Sequence, residues 1–170
     1  MYDTDTTINL IRDAIVANYL DYDLINREKH GFDAKKRKGE HFLEVKQCSF
    51  TTKIWGGTWN DTNEEKAKAF SDPRLHTAIA LWRGASDLQF IVFGQHPDLG
   101  IRLLKLVTNR KSGSRSTQSI SMLDLIAKYK FKVICPPDKE KGDILNLMIA
   151  HDKRFAEYVT KRTIKTIRDI

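Results

Sequence analysis

Three charged residues within one short stretch have the types and spacing to do chemistry. The stretch "GFDAKKRKGEHFLEVKQ", residues 31–47, reads as two short strands joined by a polar turn. Side chains alternate between faces along a strand, so Glu44 and Lys46 share a face with Phe42 and Cys48. A turn centred on Lys38-Gly39 places Asp33 opposite Glu44, with Cβ atoms about 4.5–5.5 Å apart. A four-residue loop, Arg37 to Glu40, keeps that register, whereas a three-residue loop breaks it. Carboxylates that close repel, and a divalent cation such as Mg2+ resolves the conflict, because it binds through one or two carboxylates and keeps waters. A lysine alongside would orient or deprotonate an attacking water and offset phosphate charge. Together these groups suit phosphodiester hydrolysis. The same charges equally suit a solvated hairpin in which Glu44, Lys46 and Lys35 pair with one another or with water.

Other elements must hold such a hairpin. Residues 6–20 carry Ile8, Ile11, Ile15, Tyr19 and Leu20 at helical spacing, which predicts an amphipathic helix with one buried face. "SFTTKIW", residues 49–55, is rich in β-branched and aromatic types and predicts a third strand. "GGTWND" reads as a loop, with Asn60 or Asp61 capping a helix through "TNEEKAKAF". Pro73 opens the next expected helix, with Leu75, Ala78, Ile79 and Trp82 along one side. "LQFIVFG", residues 88–94, is a buried strand ended by glycine. Residues 98–107 fit a short helix or another strand, and residues 109–118 a flexible basic loop. A helix over residues 122–130 leads to the strand "FKVIC", which two prolines end. From Lys139 onward the pattern is helical, loaded with Lys153, Arg154, Lys161, Arg162, Lys165 and Arg168. The order predicts one mixed α/β (α+β) domain over residues 1–170, a central mixed sheet flanked by helices.

The 170 residues carry a formal charge of +7, which favours polyanionic partners, nucleic acid before acidic membrane surfaces. Cys48 and Cys135 are far apart in apolar stretches and read as buried free thiols in a reducing compartment. The five histidines have no zinc-site spacing. Asp3, Asp5, Arg12 and Asp13 interrupt any signal-peptide pattern, and no apolar run is long enough to span a bilayer. The expectation is a soluble cytoplasmic protein with no membrane partner and no small-molecule cofactor.

Asp33, ten intervening residues and then Glu44-Val45-Lys46 resemble the D…(D/E)xK motif of the PD-(D/E)XK nuclease superfamily, which includes type II restriction endonucleases. The core of that superfamily is a helix, a three-stranded antiparallel meander, a helix and a fourth strand. The order of predicted elements corresponds over about residues 6–94, leaving 95–170 as a C-terminal elaboration. The resemblance implies that Asp33 and Glu44 bind Mg2+, with the Val45 carbonyl as a further contact, and that Lys46 is the catalytic lysine. It also implies double-stranded DNA as substrate and a homodimer as the working form. Phe32 stands where many members have proline. An extra acid on the first helix occurs in some members, but Asp13 and Glu28 read here as surface charges. Gln47 points to the opposite face and reads as structural, and His30 and His41 form no metal pair. In "WGGTWND" the tryptophans either seal the core or contact bases. Lys35, Arg37, Lys38, Asn60, Arg110, Lys111 and Arg115 are the candidate DNA contacts. Alternatives are a Holliday-junction resolvase or repair nuclease of the same superfamily, or a non-catalytic DNA-binding module.

Overall fold

A computed structural model describes residues 2–25, 32–60, 62–109 and 117–170, with side chains from residue 7. The chain runs α1 (Tyr2–Tyr19), β1 (Tyr22–Leu24), β2 (Ala34–Lys36), β3 (Phe42–Ser49), β4 (Gly56–Trp59), α2 (Glu64–Ala69), β5 (Leu75–Arg83) and β6 (Asp87–Gly94). It continues as α3 (Pro97–Thr108), β7 (Gln118–Ser121), α4 (Met122–Ala127), β8 (Lys132–Cys135), α5 (Lys141–His151) and β9 (Lys165–Thr166). Short 3-10 turns come after α5 and β9, at Lys153–Glu157 and Ile167–Asp169. The fold is mixed α+β, a seven-stranded mixed sheet flanked by helices. The sheet order is β1-β2-β3-β5-β6-β8-β9, while β4 and β7 pair separately as an antiparallel ribbon.

The central strands bury both faces. On one face Val16 and Ala17 of α1 and Leu20 just after it pack with Leu43, Val45, Ala78, Ala80 and Trp82. On the other, Ile79, Leu81, Phe90 and Val92 pack with Trp55, Trp59 and residues of α2, α3, α4 and α5. Arg12 of α1 reaches across the β5–β6 turn, donating to the carbonyls of Gly84 and Ala85, both at 2.9 Å, and lying over the Trp82 ring. Among the described residues no helix is long and apolar enough to cross a membrane.

The hairpin has the expected register. Ala34 pairs with Leu43 and Lys35 with Phe42, and Gly39 turns the chain with φ +104°. The clearest departure is residues 75–82. They form β5, parallel to β3 and antiparallel to β6, and not a helix. A continuous apolar run has no period, so it reads as a helix when its two faces are in fact buried against different layers. Residues 49–55 are not a strand; β3 ends at Ser49 and the chain turns before β4. β4 itself occupies the glycine-rich stretch expected to be a loop. A Cβ at Gly56 would lie 2.4 Å from the Ile120 carbonyl oxygen of β7, so the close approach of the two strands needs glycine there.

Smaller corrections share one cause, tertiary packing overriding local pattern. Among the described side chains, Val16 and Ala17 of α1 and Leu20 just after it are buried, while Ile11 is 54 % exposed. Asn63, not Asn60, caps α2, its side chain accepting the Lys66 N–H at 2.8 Å. The C-terminal stretch is one helix, two 3-10 turns and a short strand, not a continuous helix. β8 and β9, within residues 95–170, extend the main sheet.

The β5 assignment has a direct test. A helix with Leu75, Ala78, Ile79 and Trp82 inward would leave Ala80 outside, whereas the strand buries Ala80 fully. Ala80→Glu is expected to cost more than about 3 kcal/mol in urea unfolding, since it buries an ion.

Candidate functional site

β2 begins at Ala34, and the residue just before it shapes the site. The Asp33 N–H donates to the Leu43 carbonyl at 3.1 Å, and the Asp33 carboxylate accepts the Val45 N–H at 2.8 Å. A side chain thus takes the place of the next backbone rung. Asp33 does not form a ladder pair with Glu44, as the simple hairpin predicts; its carboxylate sits at the peptide joining Glu44 to Val45. Asp33 and Glu44 are each only 5 % exposed.

A residue's N–H and C=O point to the same side of a strand. The Val45 carbonyl therefore faces the edge where the Asp33 carboxylate lies. β5 pairs with all of Phe42 to Ser49 on the other side, but β2 covers only Phe42 and Leu43. From Glu44 onward, among the described residues, no strand ladders onto this edge of β3. α1 flanks it on one face and β4 on the other, with Asn9, Asp13, Val45, Lys46, Gln47, Thr58 and Asn60 around a cavity of about 370 Å³.

Glu44 and Lys46 share the face expected of them. The Lys46 ammonium lies 3.3 Å from Glu44 Oε1 and 5.5 Å from the centre of the Trp59 ring. Both side chains line a small pocket, about 100 Å³, with Phe32, Trp59, Asn60, Thr62 and Lys66. Gln47 points the other way, donating to Asp13 of α1 and accepting from the Trp82 indole. It ties α1 to the strand that carries the charged pair.

Of the candidate DNA contacts, Lys35, Lys38 and Asn60 are exposed, and Asn60 borders both cavities. Arg37 is already engaged, with Asp23 at 2.9 Å, Asp21 at 3.1 Å and Asn18 at 3.0 Å. These bonds lock the hairpin to the end of α1 and hold the guanidinium above its usual pKa, first through the Asp23 hydrogen bond. Arg110, Lys111, Arg115, Glu28 and His30 lie outside the described residues. Trp55 and Trp59 are buried in the core; Trp55 stacks on His151 at 3.7 Å and donates to the Phe50 carbonyl. Cys48 and Cys135 are buried free thiols, and burial pushes both pKa values up. His76, which the sequence did not mark, neighbours His41 with ring centres 5.3 Å apart. Burial, then His41 and Lys36, pushes it down to about 4. It is thus neutral near pH 7.

Among the described residues no group of three or more His, Cys, Asp or Glu side chains could hold a metal ion. The set present is two buried carboxylates and one backbone carbonyl at an open strand edge. All three are hard oxygen donors. They fit a magnesium ion, which takes few protein ligands and completes its octahedron with water. They include none of the cysteine or histidine ligands of a structural zinc site.

No protein-family model and no curated protein matches this chain.

Gln47 provides the test of this local architecture. Gln47→Leu removes both the donor to Asp13 and the acceptor for Trp82. A stability loss of about 1–3 kcal/mol in urea unfolding is expected.

Proposed function

We propose that the protein is a magnesium-dependent DNA endonuclease of the PD-(D/E)XK type, best described as a type II restriction enzyme. The observation that carries this reading is the Asp33 carboxylate held on the Val45 N–H, next in the chain to the buried Glu44, whose Oε1 lies 3.3 Å from the Lys46 ammonium. The order of elements supports it. α1 and the antiparallel β1-β2-β3, then, after the intervening β4, α2 and β5 give helix, meander, helix and strand. The acid of the motif stands just before the second meander strand, and Glu44 and Lys46 lie on the third. In this reading β5 takes the place of the fourth core strand, with the stretch 88–94 as the strand after it.

In this reading Asp33, Glu44 and the Val45 carbonyl hold the ion, which when bound supplies an activated water and offsets charge on the phosphate. The chain's own groups do the rest. Asp33 is fixed by the Val45 N–H, so its second oxygen has a set direction. Glu44 holds the Lys46 ammonium in place, and Lys46 orients the attacking water and neutralises charge at the phosphate. The neighbouring Trp59 face keeps the ammonium in a half-dry setting, where its field is screened less. The formal charge of +7 supports a polyanionic substrate. Cutting both strands of a symmetric site needs two such centres, which a homodimer supplies.

Incubation of the purified protein with plasmid and phage DNA plus Mg2+ is the test. Discrete fragments are expected. Asp33→Asn, Glu44→Ala and Lys46→Ala should each lower cleavage by at least about 100-fold, with DNA affinity kept within about threefold. Intact DNA under every divalent metal, with affinity retained, identifies a non-catalytic binding module instead.

A further inference from the structure

A cavity of about 770 Å³ lies toward the β9 edge of the sheet, with β5, β6 and β8 between it and the strand of Glu44 and Lys46. β8 and β9 are parallel and end side by side, Ile134 paired with Lys165 and Cys135 with Thr166. The cavity lies beyond those two ends, where the chain leaves β8 for α5. Ligands of open α/β sheets bind in crevices of this kind, outside the carboxyl ends of the strands.

Its lining is of two kinds. Pro136, Pro137 and Ile167 supply apolar surface, while Lys139, Lys141, Lys161 and Arg168 set four cations against a single acid, Glu140. Lys139 is spent on Asp87 at 2.6 Å and Asp138 at 3.5 Å. Among the described residues Lys141, Lys161 and Arg168 form no ion pair. Asp169, an acid outside the lining whose charge feels Lys141, commits its carboxylate to the Thr166 N–H and hydroxyl, each at 3.0 Å.

The cations are held in place by the fold. The Cys135 thiol donates to the Lys139 carbonyl at 3.1 Å, and the Lys139 N–H to the Pro136 carbonyl at 3.1 Å, which braces the turn before α5. Gly142 gives Lys161 room, since a Cβ there would lie 3.0 Å from Lys161 Cε and 3.3 Å from Nζ. Lys161 therefore stands beside the first turn of a helix that no side chain caps. Asp143 of that turn is exposed and outside the lining. A cation at the positive end of a helix is unfavourable until an anion joins it.

We infer that this cavity binds a small phosphate monoester, a nucleoside monophosphate or a molecule like it. Lys141, Lys161 and Arg168 hold the phosphate, and the prolines and Ile167 take the body of the ligand. Three unpaired cations suit a phosphate dianion, and charge-assisted hydrogen bonds to it are strong. The volume falls in the range of small-molecule sites, about 300–1,000 Å³. The cations also surround one crevice rather than line a track for a polymer. The site is independent of the nuclease reading. Local sequence does not reveal it, because only the parallel pairing of β8 with β9 brings Lys161 and Arg168 to Lys141.

The test is titration of the isotope-labelled protein with adenosine monophosphate, followed by amide NMR, in EDTA so that Mg2+ plays no part. Shifts should concentrate at the Gly142 and Thr166 amides, and unphosphorylated adenosine should cause none. Lys161→Gln and Arg168→Gln should each weaken binding by about tenfold, with circular dichroism as the folding check. Gly142→Ala keeps every charge and favours the helix, yet it should also weaken binding, because it crowds Lys161. No shift at these amides with millimolar adenosine monophosphate overturns the inference. So does binding no tighter than that of inorganic sulfate, which marks an adventitious ion only. A short DNA duplex that binds there more tightly than the monophosphate overturns it as well. None of these outcomes touches Mg2+-dependent cleavage, so the nuclease reading stands or falls separately.

Discussion

The site depends on one hydrogen bond, from the Val45 N–H to the Asp33 carboxylate at 2.8 Å. A buried backbone donor has to be satisfied, and in an ordinary hairpin the partner strand would do so. Here the ladder between β2 and β3 stops at Ala34 and a carboxylate fills the vacancy in the pattern. Charge assistance makes the bond shorter and stronger than a neutral one. The consequence is geometric. Asp33 is held at the peptide next to Glu44, and the β3 edge beyond it carries no laddered neighbour among the described residues. Were β2 two residues longer at its start, a strand would lie across the Val45 carbonyl.

The rest of the molecule keeps that arrangement stiff. β5 pairs with β3 along its whole length, so the strand carrying Glu44 and Lys46 cannot shift without disturbing the centre of the sheet. Gln47 and α1 brace one face; Trp59, packed edge-on against Phe70 with ring centres 5.9 Å apart, braces the other. Arg37 fixes the hairpin to the end of α1 through three acceptors. Glu44 and Lys46 thus stand on a strand, with Asp33 one residue ahead of another. Strands hold a constellation more precisely.

Much of this is legible in the sequence, and the rest is hidden for physical reasons. The hairpin register comes from Gly39 and the alternation around Glu44, Lys46 and Gln47, because strand periodicity and turn length together leave little choice. "LQFIVFG" and "FKVIC" are plain because short apolar runs bounded by breakers have few other uses. β5 reads as a helix because Ala78, Ile79, Ala80 and Leu81 are apolar on both faces and carry no period. β4 reads as a loop because glycines usually mark turns, whereas Gly56 marks a tight inter-strand contact with a partner over sixty residues away. The Asp33–Val45 bond is equally invisible. It depends on where β2 ends, and no local pattern sets that.

In the proposed function Asp33 and Glu44 form one divalent-cation site. Titration of the protein with Mn2+, read by electron paramagnetic resonance of the free ion, measures that directly. One bound ion per chain is expected for wild type and none for a variant carrying Asp33→Asn and Glu44→Gln together. Unchanged binding in that variant, or no binding by folded wild type at millimolar metal, would contradict it.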